Sequence, residues 1–258
     1  MKNLLRLISP FEKLSPRERV IGTVSIVVII LFLWTLSGSE FIPSPIEIAG
    51  AIPRLVFSKD LFYHFHKSLI FCFTAIGYSS LIALFFCYLS VFPLFSTFCN
   101  FLRKFRFLPS TGLAFLFMKL TGNIEDQMQW MMVFGITTWL IESMVGVAME
   151  VTDEDVMYAK SLRLNKWQTM RELLVYGKAA RLLGCIISNF AIAWMMLAAI
   201  ENIAKASGGI GVVLAESNKY YKFEEVYAIQ ILILITGITI SAIMNWIKKF
   251  LLPYTNLK

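Results

Sequence analysis

Glu142 is the one carboxylate set well inside a long apolar run, residues 128–149. An ionisable group in such a place points to a substrate or ion pathway, or to a neighbouring cation that holds it. His64 and His66 stand two apart, as on one face of a strand, but the residues around them read as the start of an interfacial helix and no third ligand is near. A metal centre needs that third ligand. Gly208, Gly209 and Gly211 miss the G-x-G-x-x-G and G-x-x-x-x-G-K-[ST] spacings that let backbone amides cradle a phosphate. They read as a tight turn between a membrane helix and a short external helix. The chain has no H-E-x-x-H, no G-x-S-x-G and no carboxylate pair beside a base, so no catalytic residue and no enzyme is indicated. Cys72, Cys87, Cys99 and Cys185 lie in or beside apolar runs without metal-ligand spacing and read as small packing residues. Asn189, Trp194 and Asn245 read as hydrogen-bonding groups between helices.

The elements that must position these residues are membrane helices. Hydrophobic residues make up 57% of the chain and charged ones only 16%, with a mean hydropathy of +0.68, whereas a soluble domain has roughly 45–50% and about 25%. Lipid is the expected solvent. A helix needs roughly 20 apolar residues to cross the bilayer core, and residues 20–36, 69–91, 182–200 and 226–247 approach or meet that length. The run 128–149 is also long enough, and 107–120 is apolar but short, opened by Pro109 and closed by Lys119. The reading is an all-α membrane protein of about six spans, with 107–120 as the third.

Cations set the orientation, because Lys and Arg favour cytoplasmic loops. With the N-terminus inside, the cytoplasmic segments hold Lys2, Arg6, Lys13, Arg17, Arg19, Arg103, Lys104, Arg106, Lys160, Arg163, Lys166, Arg171, Lys178, Arg181, Lys248, Lys249 and Lys258. The other side keeps Arg54, Lys59, Lys67, Lys119, Lys205, Lys219 and Lys222. Omitting the third span would invert everything after it and scramble this bias. Both termini are therefore expected in the cytoplasm, with residues 1–19 as a cytoplasmic segment and 20–258 as the transmembrane domain. The net charge of +7 is spread over loop ends beside anionic headgroups and is not a nucleic-acid signal. No small-x-small cleavage site follows Leu36, so the first span is expected to stay uncleaved. After it, Pro43 and Pro45 hold the chain extended, and 47–57 reads as a short amphipathic helix at the interface.

The long polar stretch 150–181 lies between the fourth and fifth spans. Thr152 or Asp153 can cap a helix whose first turn carries Asp153, Glu154 and Asp155, the placement that a helix N-terminus favours. Val156, Ala159, Leu162 and Leu164 recur near helical spacing with Lys160, Arg163 and Lys166 between them, and a second helix after Asn165 carries Trp167, Met170, Leu173 and Leu174. Such a pair of amphipathic helices either lies on the bilayer or docks into a groove of a soluble partner. Trp167 between Lys166 and Arg171 favours docking, since an aromatic anchor among cations is a common interface hot spot.

From Phe41 onward the chain resembles the membrane permeases of binding-protein-dependent ABC importers, in particular the nitrate, sulfonate and taurine branch. Phe41-Ile42-Pro43-Ser44-Pro45 is similar to that branch's "LPSP" entry, and Phe105-Arg106-Phe107-Leu108-Pro109 to the proline-bearing start of its third span. Residues 151–174 resemble the cytoplasmic EAA loop, with Ala159-Lys160-Ser161-Leu162 and Lys166-Trp167-Gln168 in order, and 201–211 resembles the segment "AEMLGASSGLG". The departures are local. Met157-Tyr158-Ala159 stands where the family has Glu-Ala-Ala, Arg163 where it has the loop glycine, and Val175-Tyr176 where it has "LP". Glycine takes positive φ at little cost, so Arg163 predicts a differently shaped bend.

The resemblance implies a type I permease subunit in the inner (plasma) membrane of a bacterium. Its partners would be a second permease, identical or not, two ATP-hydrolysing subunits and an extracytoplasmic solute-binding protein. ATP and Mg would be bound by the ATPase; the chain itself has no Walker A sequence and is expected to bind no cofactor. Asp153, Glu154, Ala159, Lys160, Leu162, Arg163, Lys166, Trp167 and Arg171 would form the coupling loop, and Glu142, Trp194 and Glu201 are candidate solute contacts. Two other classes fit the same sequence: a non-transporting regulatory relative of such permeases, and a carrier driven by an ion gradient through Glu142. The second would show matched internal repeats, and none is evident between the halves.

Overall fold

In the computed structural model residues 15–36, 42–203 and 208–252 are described. The N-terminal residues up to Leu14, Phe41 of the entry motif, Ala204, Lys205, Ala206 and Ser207 of the glycine-rich loop, and the C-terminal residues from Pro253 to Lys258 lie outside them. The elements are α1 (Pro16–Leu36), α2 (Pro45–Ser58), α3 (Leu61–Leu89), α4 (Pro93–Leu102), two 3-10 turns (Arg103–Phe107 and Ser110–Leu113), α5 (Ala114–Thr121), α6 (Ile124–Met149), α7 (Asp153–Ser161), α8 (Lys166–Met170) with a π-turn (Arg171–Tyr176), α9 (Ala179–Ile203), α10 (Ile210–Lys219) and α11 (Phe223–Leu251). All regular structure among the described residues is helical. Helices α1, α3, α6, α9 and α11 are each long and apolar enough to cross a membrane, which fits a multi-pass membrane protein.

α6 is the axis of the bundle and its most buried long helix. Met131, Met132, Ile136, Leu140 and Met144 of α6 pack against α3 and α9. α3 meets α6 through small residues, Cys72, Ala75, Ser79, Ala83 and Cys87, which let two backbones approach closely in lipid. The hydrogen bonds fix direction. Lys67 meets Glu125, Ser79 donates to the carbonyl of Val133, and the Cys87 thiol faces the carbonyl of Met144, so α3 and α6 run parallel. α9 runs antiparallel to both, with Asn189 donating to Ser143 and Ser68 donating to Glu201. α11 returns along α9, where Trp194 donates to the carbonyl of Ile233.

Two parallel neighbours require the chain between them to travel back. Residues 103–121, which include the expected third span 107–120, do so in broken form rather than as one helix. Arg103 lies beside Glu142, Ser110 beside Gly135, and the carbonyl of Ala114 accepts from Gln127 Nε2, so the segment runs antiparallel along almost the whole of α6. Pro109 causes the break, since it has no N–H and disfavours helical geometry in the residue before it. Leu108 has ψ 116 and Pro109 ψ 118, both extended. Non-helical backbone at membrane depth is tolerated where protein covers it, and Ser110 is buried between α6 and Met196 of α9.

α2, the start of α3, α10 and the start of α11 form a cap at the end of the bundle away from Glu142, joined by Ile48, Leu55, Leu61, Ile210 and Ile229. α2 begins with a full capping box, Ser44 with Glu47, and Pro45 in its first turn. α1 touches this cap through Trp34, whose indole N–H donates to the carbonyl of Pro43.

Candidate coupling loop and membrane-embedded charges

α7 starts as its sequence dictates. The Thr152 hydroxyl accepts from the N–H of Asp155, and the Asp155 carboxylate accepts from the N–H of Thr152 at 3.0 Å. These bonds hold the Asp155 carboxyl below the ordinary aspartate range, the backbone bond being the larger cause. α7 ends in a Schellman motif: the N–H of Leu164 reaches the carbonyl of Ala159 at 3.2 Å and that of Arg163 reaches the carbonyl of Lys160 at 2.9 Å. Asn165 and Gln168 then form a second reciprocal cap that opens α8. Both expected helices are present at their expected caps.

Arg163 has φ 58. The bend therefore retains the left-handed residue that a glycine would supply, and the expectation of a differently shaped turn is corrected: the residue type differs while the backbone conformation is one that glycine favours. A Cβ in this region costs roughly 1–2 kcal/mol, and the two backbone bonds of the motif offset part of it.

The loop is anchored at both roots. Glu150 at the end of α6 pairs with Arg181 in α9, and Lys178 lies 3.9 Å from the same carboxylate. The π-turn is closed by Gly177, whose N–H reaches the carbonyl of Glu172 at 2.9 Å; a Cβ there would lie 2.6 Å from the carbonyl of Leu173. Ala159 and Leu174 are buried, and Leu174 belongs to the bundle core. The outer surface presents Met157, Tyr158, Leu162 and Trp167, the last 66% exposed. Trp167 also lies 5.7 Å from the ring of Phe92, just before α4. Asp153, Glu154, Lys160, Lys166 and Arg171 are exposed around this strip.

The three candidate solute residues do not converge. Glu142 is gripped by Arg103, whose Nε lies 2.8 Å from Oε2 and Nη2 3.0 Å from Oε1, and by Arg106 Nη1 at 2.9 Å. Trp194 is buried between α9 and α11, stacked on Phe190 and against Gly237. Glu201 is 1% exposed. Its Oε1 accepts from Ser68 at 2.5 Å and its Oε2 from the N–H of Gly211 at 2.6 Å, while Ser68 in turn accepts from the N–H of Ile210 at 2.8 Å. Glu201 thus satisfies the amide of Gly211 directly and supports that of Ile210 through Ser68 at the start of α10, where a helix N-terminus favours an acid. Gly209, at φ 124, has room only for a hydrogen there, since a Cβ would stand 2.3 Å from the Glu201 carboxyl carbon.

Sequence reasoning missed Ser68, Arg103 and Arg106 as partners of these acids. His64, weighed in the sequence only as a metal ligand, accepts at Nδ1 from the N–H of Gly209 at 3.0 Å. Among the described residues no group of three or more His, Cys, Asp and Glu side chains is placed to hold a metal ion. Searched against family models, the chain matches none, and no curated protein matches it.

Proposed function

We propose that this chain is the permease subunit of an ATP-driven importer, crossing the inner membrane of a bacterium six times, with 103–121 as a broken third pass and both ends in the cytoplasm. The observation that carries the reading is the 152–176 unit. It is a capped helix, a left-handed bend and a second capped helix, tied at both roots to α6 and α9 and presenting Met157, Tyr158, Leu162 and Trp167 outward. An apolar strip ringed by cations suits a groove on a soluble partner, here an ATPase subunit that binds ATP and Mg.

Because α6 and α9 also pack along the bundle, a push on this unit reaches the membrane helices directly. Coupling of this kind needs a partner with two discrete arrangements and a docked element biased by both. A second permease, identical or related, would complete the pathway, and an extracytoplasmic binding protein would deliver the solute. A carrier driven through Glu142 is less well supported, because both oxygens of that carboxylate are engaged by guanidinium groups.

Affinity purification of the chain from its native membrane in mild detergent, with mass-spectrometric stoichiometry, tests the proposal. The expected result is an ATP-hydrolysing subunit at equal stoichiometry. A folded, stable preparation without one would refute the importer reading and favour a non-transporting relative.

A further inference from the structure

Beside the Arg103–Glu142 pair, an apolar groove of about 330 Å³ runs along α6 between α3 and the broken segment. Its wall includes Phe86 of α3, Leu102, Phe105 and Phe117, and on α6 Trp130 and Ile141. From Trp130 to Ile141 the helix rises roughly 16 Å at 1.5 Å per residue, about half the thickness of a bilayer core. The groove is open to the surface at Trp130, which is 49% exposed.

One tight turn supplies both the apolar wall and the charge at its end. Side chains three apart eclipse in a 3-10 helix, so Leu102 and Phe105 line the groove while Arg103 and Arg106 meet Glu142. Arg103 is fully engaged, with Nε and Nη2 on Glu142 and Nη1 on Asn100 and Met149. Arg106 meets Glu142 through Nη1, and its guanidinium lies 4.9 Å from the Phe107 ring. Lys104 is exposed, and among the described residues no ion pair engages it.

Three cations here face one carboxylate, which leaves two positive charges unmatched. The chain is described without a break from residue 42 to residue 203, so every segment joining the wall enters this count. Along α6 the next carboxylate towards this end is Glu150, two turns beyond Glu142 and held by Arg181 and Lys178. The 152–176 unit is balanced, with Asp153, Glu154, Asp155 and Glu172 against Lys160, Arg163, Lys166 and Arg171. The N-terminal residues outside the described ones hold Lys2, Arg6 and Lys13 against Glu12, and so do not reverse the sign.

A cationic end on an apolar groove one leaflet long complements an anionic phospholipid, and basic pockets between membrane helices bind such headgroups. A zwitterionic lipid would bring a cation of its own to a place already positive. A second copy seated here by two-fold symmetry would set the same positive charges against each other. We infer that the groove and its charged end are a binding site for one anionic phospholipid, with an acyl chain along α6 and the phosphate on Lys104 and Arg106. The bound lipid braces the broken segment against α6. The site does not rest on the importer reading.

The test is native mass spectrometry of the full chain, with whatever subunits it retains, in mild detergent. It is titrated with phosphatidylglycerol, with phosphatidylcholine of the same acyl chains and with glycerol phosphate. One phosphatidylglycerol is expected to bind at least about tenfold tighter than phosphatidylcholine, since two unmatched cations attract it. Glycerol phosphate, with no chain for the groove, is expected not to bind. Lys104→Gln, at an exposed position, should keep the wild-type melting temperature and weaken phosphatidylglycerol binding about fivefold, the equivalent of about 1 kcal/mol for one surface cation. Ile82→Trp, on the groove wall, should weaken both lipids by filling it. Equal affinity for the two lipids, glycerol phosphate bound as tightly as phosphatidylglycerol, or phosphatidylglycerol binding unchanged in Lys104→Gln would each overturn the inference. Loss of the lipid adduct when the chain self-associates would give the groove to a second copy and overturn it as well.

Discussion

Arg103 meets Glu142 edge to edge, two guanidinium nitrogens on two carboxylate oxygens, at 2.8 and 3.0 Å. This pair fastens the broken segment to α6, and Arg106 adds a third contact. Arg103→Ala should lower stability in detergent by about 2 kcal/mol, the scale of hydrogen bonds to charged groups. Glu142→Gln should cost a similar amount, and the double variant less than the sum. Chemical unfolding of the purified variants measures this; additive losses would mean that the two residues act separately.

Gly209→Ala is expected to be disruptive. The position combines φ 124 with a Cβ that would fall 2.3 Å from the Glu201 carboxyl carbon. A loss of about 2–3 kcal/mol is expected from backbone strain and overpacking together, read as a lower melting temperature. A wild-type melting temperature would show that Glu201 does not hold the start of α10.

Arg163→Gly should stabilise the 152–176 unit by about 1 kcal/mol, because glycine takes positive φ without the steric cost. Slower amide exchange at Arg163 and Leu164, whose N–H groups close the Schellman motif, is the readout. Faster exchange would place the left-handed bend in doubt.

The Asp155 carboxyl is held below its ordinary range by the N–H of Thr152. A depressed acid contributes stability that is present above its unfolded pKa, about 3.9, and is lost as pH falls through the lower folded value. The first turn of α7 should therefore fray only in that acid window. Asp155→Asn should abolish this pH dependence of exchange at the N–H of Thr152.

The long helices were legible because an apolar run is a local signal. The run 182–200 became α9 (Ala179–Ile203) and 226–247 became α11 (Phe223–Leu251), each longer by a polar turn that the hydropathy pattern excludes. α3 begins at Leu61, eight residues before its apolar run, because His64, His66 and Lys67 are helical but polar. The caps at Thr152 and Asn165 were equally local. The tertiary pairings were not. Ser68 and Glu201 are 133 residues apart and Arg103 and Glu142 are 39 apart, and no one-dimensional pattern joins them. The segment 107–120, read as a third span from charge bias, is instead broken at Pro109 into a 3-10 turn and a short helix. Its amide and carbonyl groups find cover only once α6 and α9 are in place.

The proposed contact of the exposed Trp167 with an ATP-hydrolysing partner is tested most directly by a photo-crosslinker. Replacing Trp167 with p-benzoyl-phenylalanine in the native membrane and illuminating it should yield one covalent adduct to an ATP-binding protein, lost in an added Arg163→Glu variant. Adducts confined to lipid or to this chain itself would contradict the coupling role of the 152–176 unit.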